Sequence, residues 1–168
     1  NTSHGQKIEN YALQIFDAMK KFHGLGTRER LLLRIASILH DCGKFISLRD
    51  SSACAYNIIM ATEIIGLSHA EREIVAEVVR CNLDAFRYGE GSIRAGKLTA
   101  MLRLANAMDR SHHGRLDDGK LQVKGNKLII STSYAGNLAL ETIAVEDKAD
   151  FFEEMFGIRP EIREKRRV

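Results

Sequence analysis

The sequence has no Trp, a single Pro and only three Cys residues, none of them in a Cys-x-x-Cys pair. Because Pro interrupts helices, its scarcity favours long helical stretches. The Cys spacing argues against a zinc ribbon or a disulfide framework and is typical of reduced thiols. No apolar run approaches the roughly 20 residues that cross a bilayer, and no signal-peptide pattern is found. We therefore expect a cytoplasmic protein without a membrane partner.

A strong excess of charge of one sign is also missing. The 168 residues carry a net charge of +3, and no predicted helix concentrates Arg and Lys with base-reading residues. This composition argues against sequence-specific nucleic-acid binding. A hydrophobic content of 45% over this length is typical of one domain, or one domain with a small appendage. The sequence begins at Asn1, without Met, within a helical pattern, so we expect a fragment of a longer protein.

Two kinds of periodicity divide the chain. Apolar residues recur at helical spacing in five stretches, which predict helices over about 4–22, 27–41, 53–65, 68–83 and 93–110. After Gly114, alternating residues flank Gly125-Asn126, a hairpin signal, and a helix to about Phe156 and a third strand follow. We predict a mainly α fold with a helical domain over 1–114 and a small α+β appendage over 115–168.

Two of the predicted helices carry more specific expectations. Ser68 and Glu71 have the spacing of a capping box, which places a helix start there. The helix before it is predicted to bury one apolar face, made of Ala53, Asn57, Met60, Ala61 and Ile64.

Ionisable side chains interrupt three of the apolar helix faces. His40 and Asp41 lie where a helix with apolar Leu32, Ile35 and Leu39 ends. His4 lies four residues before Ile8 on the first apolar face, and Asp109 lies four residues after Ala105 on the fifth. A His-Asp pair alone is a weak signal, and each group has an ordinary alternative: a surface residue for His4, or an ion pair with Arg110 for Asp109.

Taken together, these groups predict a metal site. Burying each of them singly is costly, whereas convergence on one cation removes the cost. Two imidazoles and two carboxylates suit Mn²⁺, Fe, Ni²⁺ or Zn²⁺, with Mg²⁺ as a further option. His112 and His113 either extend this site or belong to a surface loop, and we expect His23 and His69 to be surface helix caps.

The order His, His-Asp, Asp resembles the HD-domain superfamily of metal-dependent phosphohydrolases. Further stretches are similar to the C-terminal region of the exopolyphosphatase / guanosine pentaphosphate phosphohydrolase (Ppx/GppA) family: HDCGK, AYNII, LRLANAMDRS and FGIRPEI. The resemblance implies an HD-type helical bundle with one divalent metal ion as cofactor. The implied ligands are His4, His40, Asp41 and Asp109.

The chain departs from the family's pattern in two ways. Ala53 and Asn82 stand where many members carry further His residues, so a second metal ion is not expected. Both positions are nevertheless expected to face the site. The family's phosphatase chemistry belongs to N-terminal actin-like domains, whose Gly-rich phosphate loop does not occur in this sequence. The resemblance therefore implies missing N-terminal domains.

Two functions stay open at this point. In the first, the domain is a metal-dependent phosphohydrolase acting on polyphosphate or a phosphorylated nucleotide, with Asp41 and Lys44 as catalytic residues. Phosphate oxygens would be held by Lys44, Arg80, Arg103 and Arg110. In the second, the domain is a non-catalytic polyphosphate-binding or dimerisation module of a larger phosphatase. Solvated or ion-paired side chains are the alternative for each cation.

Overall fold

The computed structural model describes residues 4–41, 51–83 and 93–165. The helices are α1 (His4–Ala18), α2 (Lys20–His23), α3 (Thr27–Leu39), α4 (Ser51–Ala61), α5 (His69–Leu83), α6 (Ile93–Met108) and α7 (Ala139–Phe156). The strands are β1 (Lys120–Lys124), β2 (Lys127–Thr132) and β3 (Arg159–Glu164). The predicted mainly α fold with a small sheet near its C-terminus is confirmed.

The α6 helix forms the centre of the core. Its predicted apolar face is fully buried, with Leu98, Met101, Leu102, Ala105 and Met108 all without solvent exposure. The remaining sides are largely buried too, because α1, α3, α5 and α7 all pack against this helix. Residues that follow α6 therefore emerge from the middle of the bundle.

The sheet and α7 form one unit after the helices. β1 and β2 form the predicted hairpin around Gly125-Asn126, with Lys124 paired to Lys127. β3 then pairs parallel to β2, and α7 makes the crossover between them. Gly157 ends α7 in the left-handed conformation, and its N–H donates to the Glu153 carbonyl at 2.6 Å. Because α7 also packs along α6, the sheet is tied to the helical core.

The predicted capping box is confirmed, whereas the predicted apolar face of the 53–65 helix is confirmed only for Met60 and Ile64, which are half-buried against the core. The Ser68 N–H donates to the Glu71 carboxylate at 3.0 Å, and the Glu71 N–H donates back to Ser68 Oγ at 3.1 Å. In α4 it is Ala55 and Ile59 that are buried, and Ala53 is exposed. This helix is apolar on most sides, so its periodicity did not determine which side faces the core.

Of the helices in the described part of the chain, none has the length and apolar character needed to cross a bilayer.

Candidate functional site

The four predicted ligands lie at one end of the helical bundle. At the other end, Arg28 pairs with Glu71 at 2.8 Å and Arg94 with Glu29 at 3.2 Å, so α3, α5 and α6 start together and run in the same direction. α1 packs antiparallel to α3, as the Arg34–Glu9 ion pair indicates. The start of α1 therefore lies at the same end of the bundle as the C-terminal ends of α3, α5 and α6. Helix C-termini carry partial negative charge, which favours a cation at this end.

Two of the predicted ligands touch each other. His4 Nδ1 lies 2.6 Å from Asp109 Oδ2, although 105 residues separate them in the chain. The Asp109 side chain is completely buried, and the His4 side chain is 18% exposed. The second Asp109 oxygen accepts the Gly114 N–H at 2.9 Å. Asp109 is thus not the partner of the neighbouring Arg110, which was the simpler alternative.

His40 lies beside this pair and presents an unused nitrogen. Its ring centroid is 5.9 Å from that of His4. Nδ1 donates to the Ser37 carbonyl at 2.6 Å, which leaves the lone pair on Nε2. Nε2 is buried and accepts no hydrogen bond, although a carboxylate oxygen of Asp41 lies 3.2 Å away. Metal-binding His residues have this arrangement, because a bond from one nitrogen fixes the other as the ligand.

Besides the four predicted ligands, His112 also lies at the site, a residue whose place the sequence left undecided. Its ring stacks on that of His4 with centroids 3.7 Å apart and planes 8° apart. His112 is exposed, as expected of a surface loop, yet it covers one face of a predicted ligand. The sequence signal for it was the His pair that directly follows the Asp-Arg-Ser stretch.

The donor chemistry suits a divalent metal ion, but the side chains do not surround a common point as they stand. Among residues 4–41, 51–83 and 93–165, no group of three or more His, Cys, Asp or Glu side chains is placed to hold one. The His4–Asp109 contact accounts for this, since it directs two of the donors at each other. Among the described side chains of the site, the buried Nε2 of His40 lacks a hydrogen-bond partner, which is unusual for a buried polar atom.

The two positions at which the family pattern has further His residues have different environments. Ala53 is exposed on α4. Asn82 is buried near the end of α5, and neither of its side-chain amide atoms has a hydrogen-bond partner. Because α3 and α5 start together, Asn82 lies at a similar level along the bundle to His40. Asn82 is thus a buried polar residue at the level of His40, whereas the Ala53 side chain is exposed.

Two of the four predicted phosphate-binding cations already have partners within the protein. Arg80 forms an ion pair with Glu77. Arg103 donates to the Cys81 carbonyl at 2.9 Å and lies 4.8 Å over the Phe151 ring. Both guanidinium groups thus have structural partners.

Of the other two predicted phosphate-binding cations, the structure describes one. Arg110 is exposed next to Asp109, and Lys44 lies outside the described residues. Arg110 is thus the predicted cation that the structure leaves best placed for an anion.

A cavity of about 450 Å³ adjoins the site between α6 and α7. Its lining includes Arg110, His112, Leu140, Ile143, Asp147 and Lys148. Lys148 lies 3.3 Å from Asp147, and both Leu140 and Ile143 are exposed. The cavity combines two cationic side chains with an apolar wall, and His112 stands between it and His4. Its volume is in the range of small-molecule sites.

Among the cysteines in the described residues, Cys81 is the buried one. Burial, together with the nearby Glu77 carboxylate, raises the pKa of the Cys81 thiol to about 12. A thiolate is therefore not available near neutral pH.

Comparison with protein-family models matches residues 1–144 to the model described as Ppx/GppA phosphatase, domain III. The matched region includes His4, His40, Asp41, Asp109 and His112, and it ends within α7. No curated protein matches the chain.

Proposed function

Because the chain belongs to the Ppx/GppA phosphatase family, of which it carries domain III, we propose that it serves a phosphatase of polyphosphate or a phosphorylated nucleotide such as guanosine pentaphosphate. Its proposed role is to bind one divalent metal ion in an HD-type site at the end of the helical bundle, and through that ion to bind phosphate. The further phosphatase domains implied by the family resemblance are proposed partners, and so is a second copy of the chain.

The observation that carries this proposal is the Nε2 atom of His40. It is buried, it has no hydrogen-bond partner among the described residues, and it lies beside the His4–Asp109 pair. A buried lone pair without a donor is costly, and a divalent cation removes that cost. Two carboxylates and the ends of three helices add negative potential at the same place.

The residues of this chain have separate parts in such a site. His40 would bind the ion through Nε2, with Ser37 holding its tautomer. Asp41, Asp109 and His4 would complete the set once the His4–Asp109 contact is replaced. When bound, a divalent ion supplies a Lewis acid for phosphate oxygens.

Arg110 adds positive charge beside Asp109 and would hold a further phosphate oxygen. With a second ion not expected, the clamp that two metal ions place on the attacking and leaving oxygens would be lacking. We therefore expect slow or absent hydrolysis by this domain alone.

Metal binding is tested by titrating the chelator-treated protein with Mn²⁺ or Zn²⁺ and measuring the ion retained per chain by elemental analysis. We expect one ion per chain for the wild type. His40→Ala is expected to lower the affinity by at least about tenfold, since even outer partners of metal ligands are worth 10–100-fold. His69→Ala is the matched control, because His69 is exposed at the start of α5.

Two results would contradict the proposal. The wild type would retain no ion, or His40→Ala would bind as tightly as His69→Ala. Two ions per wild-type chain would contradict the single-metal arrangement.

The cavity between α6 and α7 favours a second candidate function, a phosphate-binding module without a metal ion. Arg110 and Lys148 offer charge-assisted hydrogen bonds to phosphate oxygens without any cofactor. Titration of polyphosphate in the presence of a chelator separates the two candidates. Binding that persists with chelator and is weakened by Arg110→Gln supports the second function, whereas binding that requires the metal ion supports the first.

A further inference from the structure

We propose that His112 is a positioning residue, whose ring holds the imidazole of His4 in the orientation that a ligand requires. Its consequence for metal affinity rests on the proposed function, but the positioning itself is a property of the metal-free chain. The starting observation is the parallel stack of the two rings, with centroids 3.7 Å apart and planes 8° apart.

The backbone at His112 adopts a conformation that L residues rarely take. Its φ is +62°, and among the described residues it is the one non-Gly residue with a positive φ. Such a conformation costs about 1–2 kcal/mol and persists where the surrounding structure requires it. An outlier of this kind beside a buried carboxylate points to a role for the side chain that it presents.

Three hydrogen bonds hold the backbone around this outlier. The His112 N–H donates to the Asp109 carbonyl at 2.9 Å, and the Gly114 N–H donates to Asp109 Oδ1 at the same distance. The Ser111 N–H donates to the buried Glu141 carboxylate at 3.3 Å, which ties the loop to α7. The loop is thus wrapped around one predicted ligand, Asp109, and places its imidazole on another, His4.

The stack restricts the rotation of the His4 ring. Because His112 covers one face of the ring, the ring plane stays restricted even when the Nδ1–Asp109 contact is replaced on metal binding. A ligand that is already oriented loses less conformational freedom when it binds. His112 acts through its flat ring in this scheme, not through its nitrogen atoms.

Two substitutions separate the ring from the nitrogen atoms. His112→Asn removes the ring but keeps a residue that tolerates the left-handed conformation. His112→Phe keeps a flat ring that can stack but has no nitrogen. The adjacent, exposed His113 supplies the control, His113→Ala.

The metal affinity of the four proteins gives the first measurement. Positioning predicts about a tenfold loss for His112→Asn, the lower end of the range for outer partners of metal ligands. His112→Phe and His113→Ala should bind within about threefold of the wild type. Equal losses in His112→Asn and His112→Phe would overturn the proposal, because they would make His112 a ligand. Equal affinity in all four proteins would overturn it too.

The NMR resonances of the His4 ring in metal-free protein give the second measurement, and His4→Gln identifies them. Stacking places the His4 ring protons in the shielding region of its neighbour, so they should shift downfield in His112→Asn and stay near the wild-type position in His112→Phe. Unchanged shifts in His112→Asn would overturn the proposal. If the wild type binds no metal ion, the proposed function fails, and this measurement alone decides whether His112 positions His4.

Discussion

Replacing Asp109 in the metal-free protein tests whether the buried pair at the end of the bundle exists in solution. Its carboxylate is fully buried and makes two contacts, to His4 Nδ1 at 2.6 Å and from the Gly114 N–H at 2.9 Å. Hydrogen bonds to charged groups contribute roughly 1.5–3 kcal/mol each, and groups left unpaired add a further cost. Both partners are half-buried, so values near the lower end of this range apply.

The two substitutions at this position are expected to differ. Asp109→Ala loses both contacts and should lower the free energy of unfolding by about 3 kcal/mol. Asp109→Asn retains an oxygen for the Gly114 N–H and replaces only the charged contact to His4 with a neutral one. The difference between charged and neutral hydrogen bonds is about 1 kcal/mol, which is the expected loss for this variant.

Urea unfolding with a chelator present measures these losses, and about 3 kcal/mol corresponds to a Tm decrease of roughly 6–12 °C for a chain of this size. Asp147→Asn is the control, because Asp147 is exposed and its ion pair to Lys148 should contribute less than about 1 kcal/mol. The reasoning is refuted if Asp109→Ala costs no more than this control. It is also refuted if Asp109→Asn costs as much as Asp109→Ala.

Two further predictions concern glycine and histidine. Gly114→Ala should lower the free energy of unfolding in urea by more than Gly24→Ala does. Both glycines have φ near +65°, a conformation that costs an L residue about 1–2 kcal/mol. Only a Cβ at position 114 would also meet Lys7 Nζ and the Asp117 carboxylate, so equal losses would contradict this prediction. For His23, burial lowers the pKa, so the unfolded chain binds the proton more readily. The free energy of unfolding should therefore fall as the pH drops below about 6.5. In His23→Gln this decrease between pH 7 and pH 5 should be shallower than in the wild type. An identical slope in the two proteins would exclude His23 as the cause.

The helices that could be predicted best are those with one clear apolar side or an unambiguous signal. The residues that the 3.6-residue period selected in α6 are all buried, but so are most of the others, because a central helix is buried on nearly every side. The Ser68–Glu71 capping box and the Gly125-Asn126 turn depend on backbone chemistry within a few residues. Local signals of this kind need no knowledge of the rest of the fold.

The errors have a common physical cause, which is that burial depends on distant parts of the chain. α4 is apolar on most sides, and its contact with α5, not its own period, decides that Ala55 and Ile59 are buried. His23 was expected at the surface as a helix cap, and this prediction is wrong. Its Nε2–H donates to the Phe16 carbonyl at 3.0 Å, and its Nδ1 accepts the Leu25 N–H at 2.8 Å, so a buried neutral imidazole is fully bonded.

The candidate site shows the same division between what spacing can and cannot predict. Spacing placed His4 and Asp109 on apolar faces, and their direct contact follows from two antiparallel helices. Spacing could not give the ring stack of His112, because it depends on a left-handed residue in a loop held by Asp109. Nor could it show that Ala53 is exposed while Asn82 is buried.

The direction of the helices also constrains how phosphate can bind at this end of the bundle. The C-terminal ends of α3, α5 and α6 and the carboxylates of Asp41 and Asp109 all contribute negative potential there. An anionic polymer is repelled by that arrangement unless a cation intervenes. A metal ion among the four predicted ligands provides that cation, whereas Arg110 and Lys148 provide positive charge in the cavity lined by His112. Phosphate bound next to His40 should therefore depend on the metal ion, and phosphate bound in the cavity should not. A chelator is expected to abolish phosphate binding under the first candidate function and to leave it intact under the second.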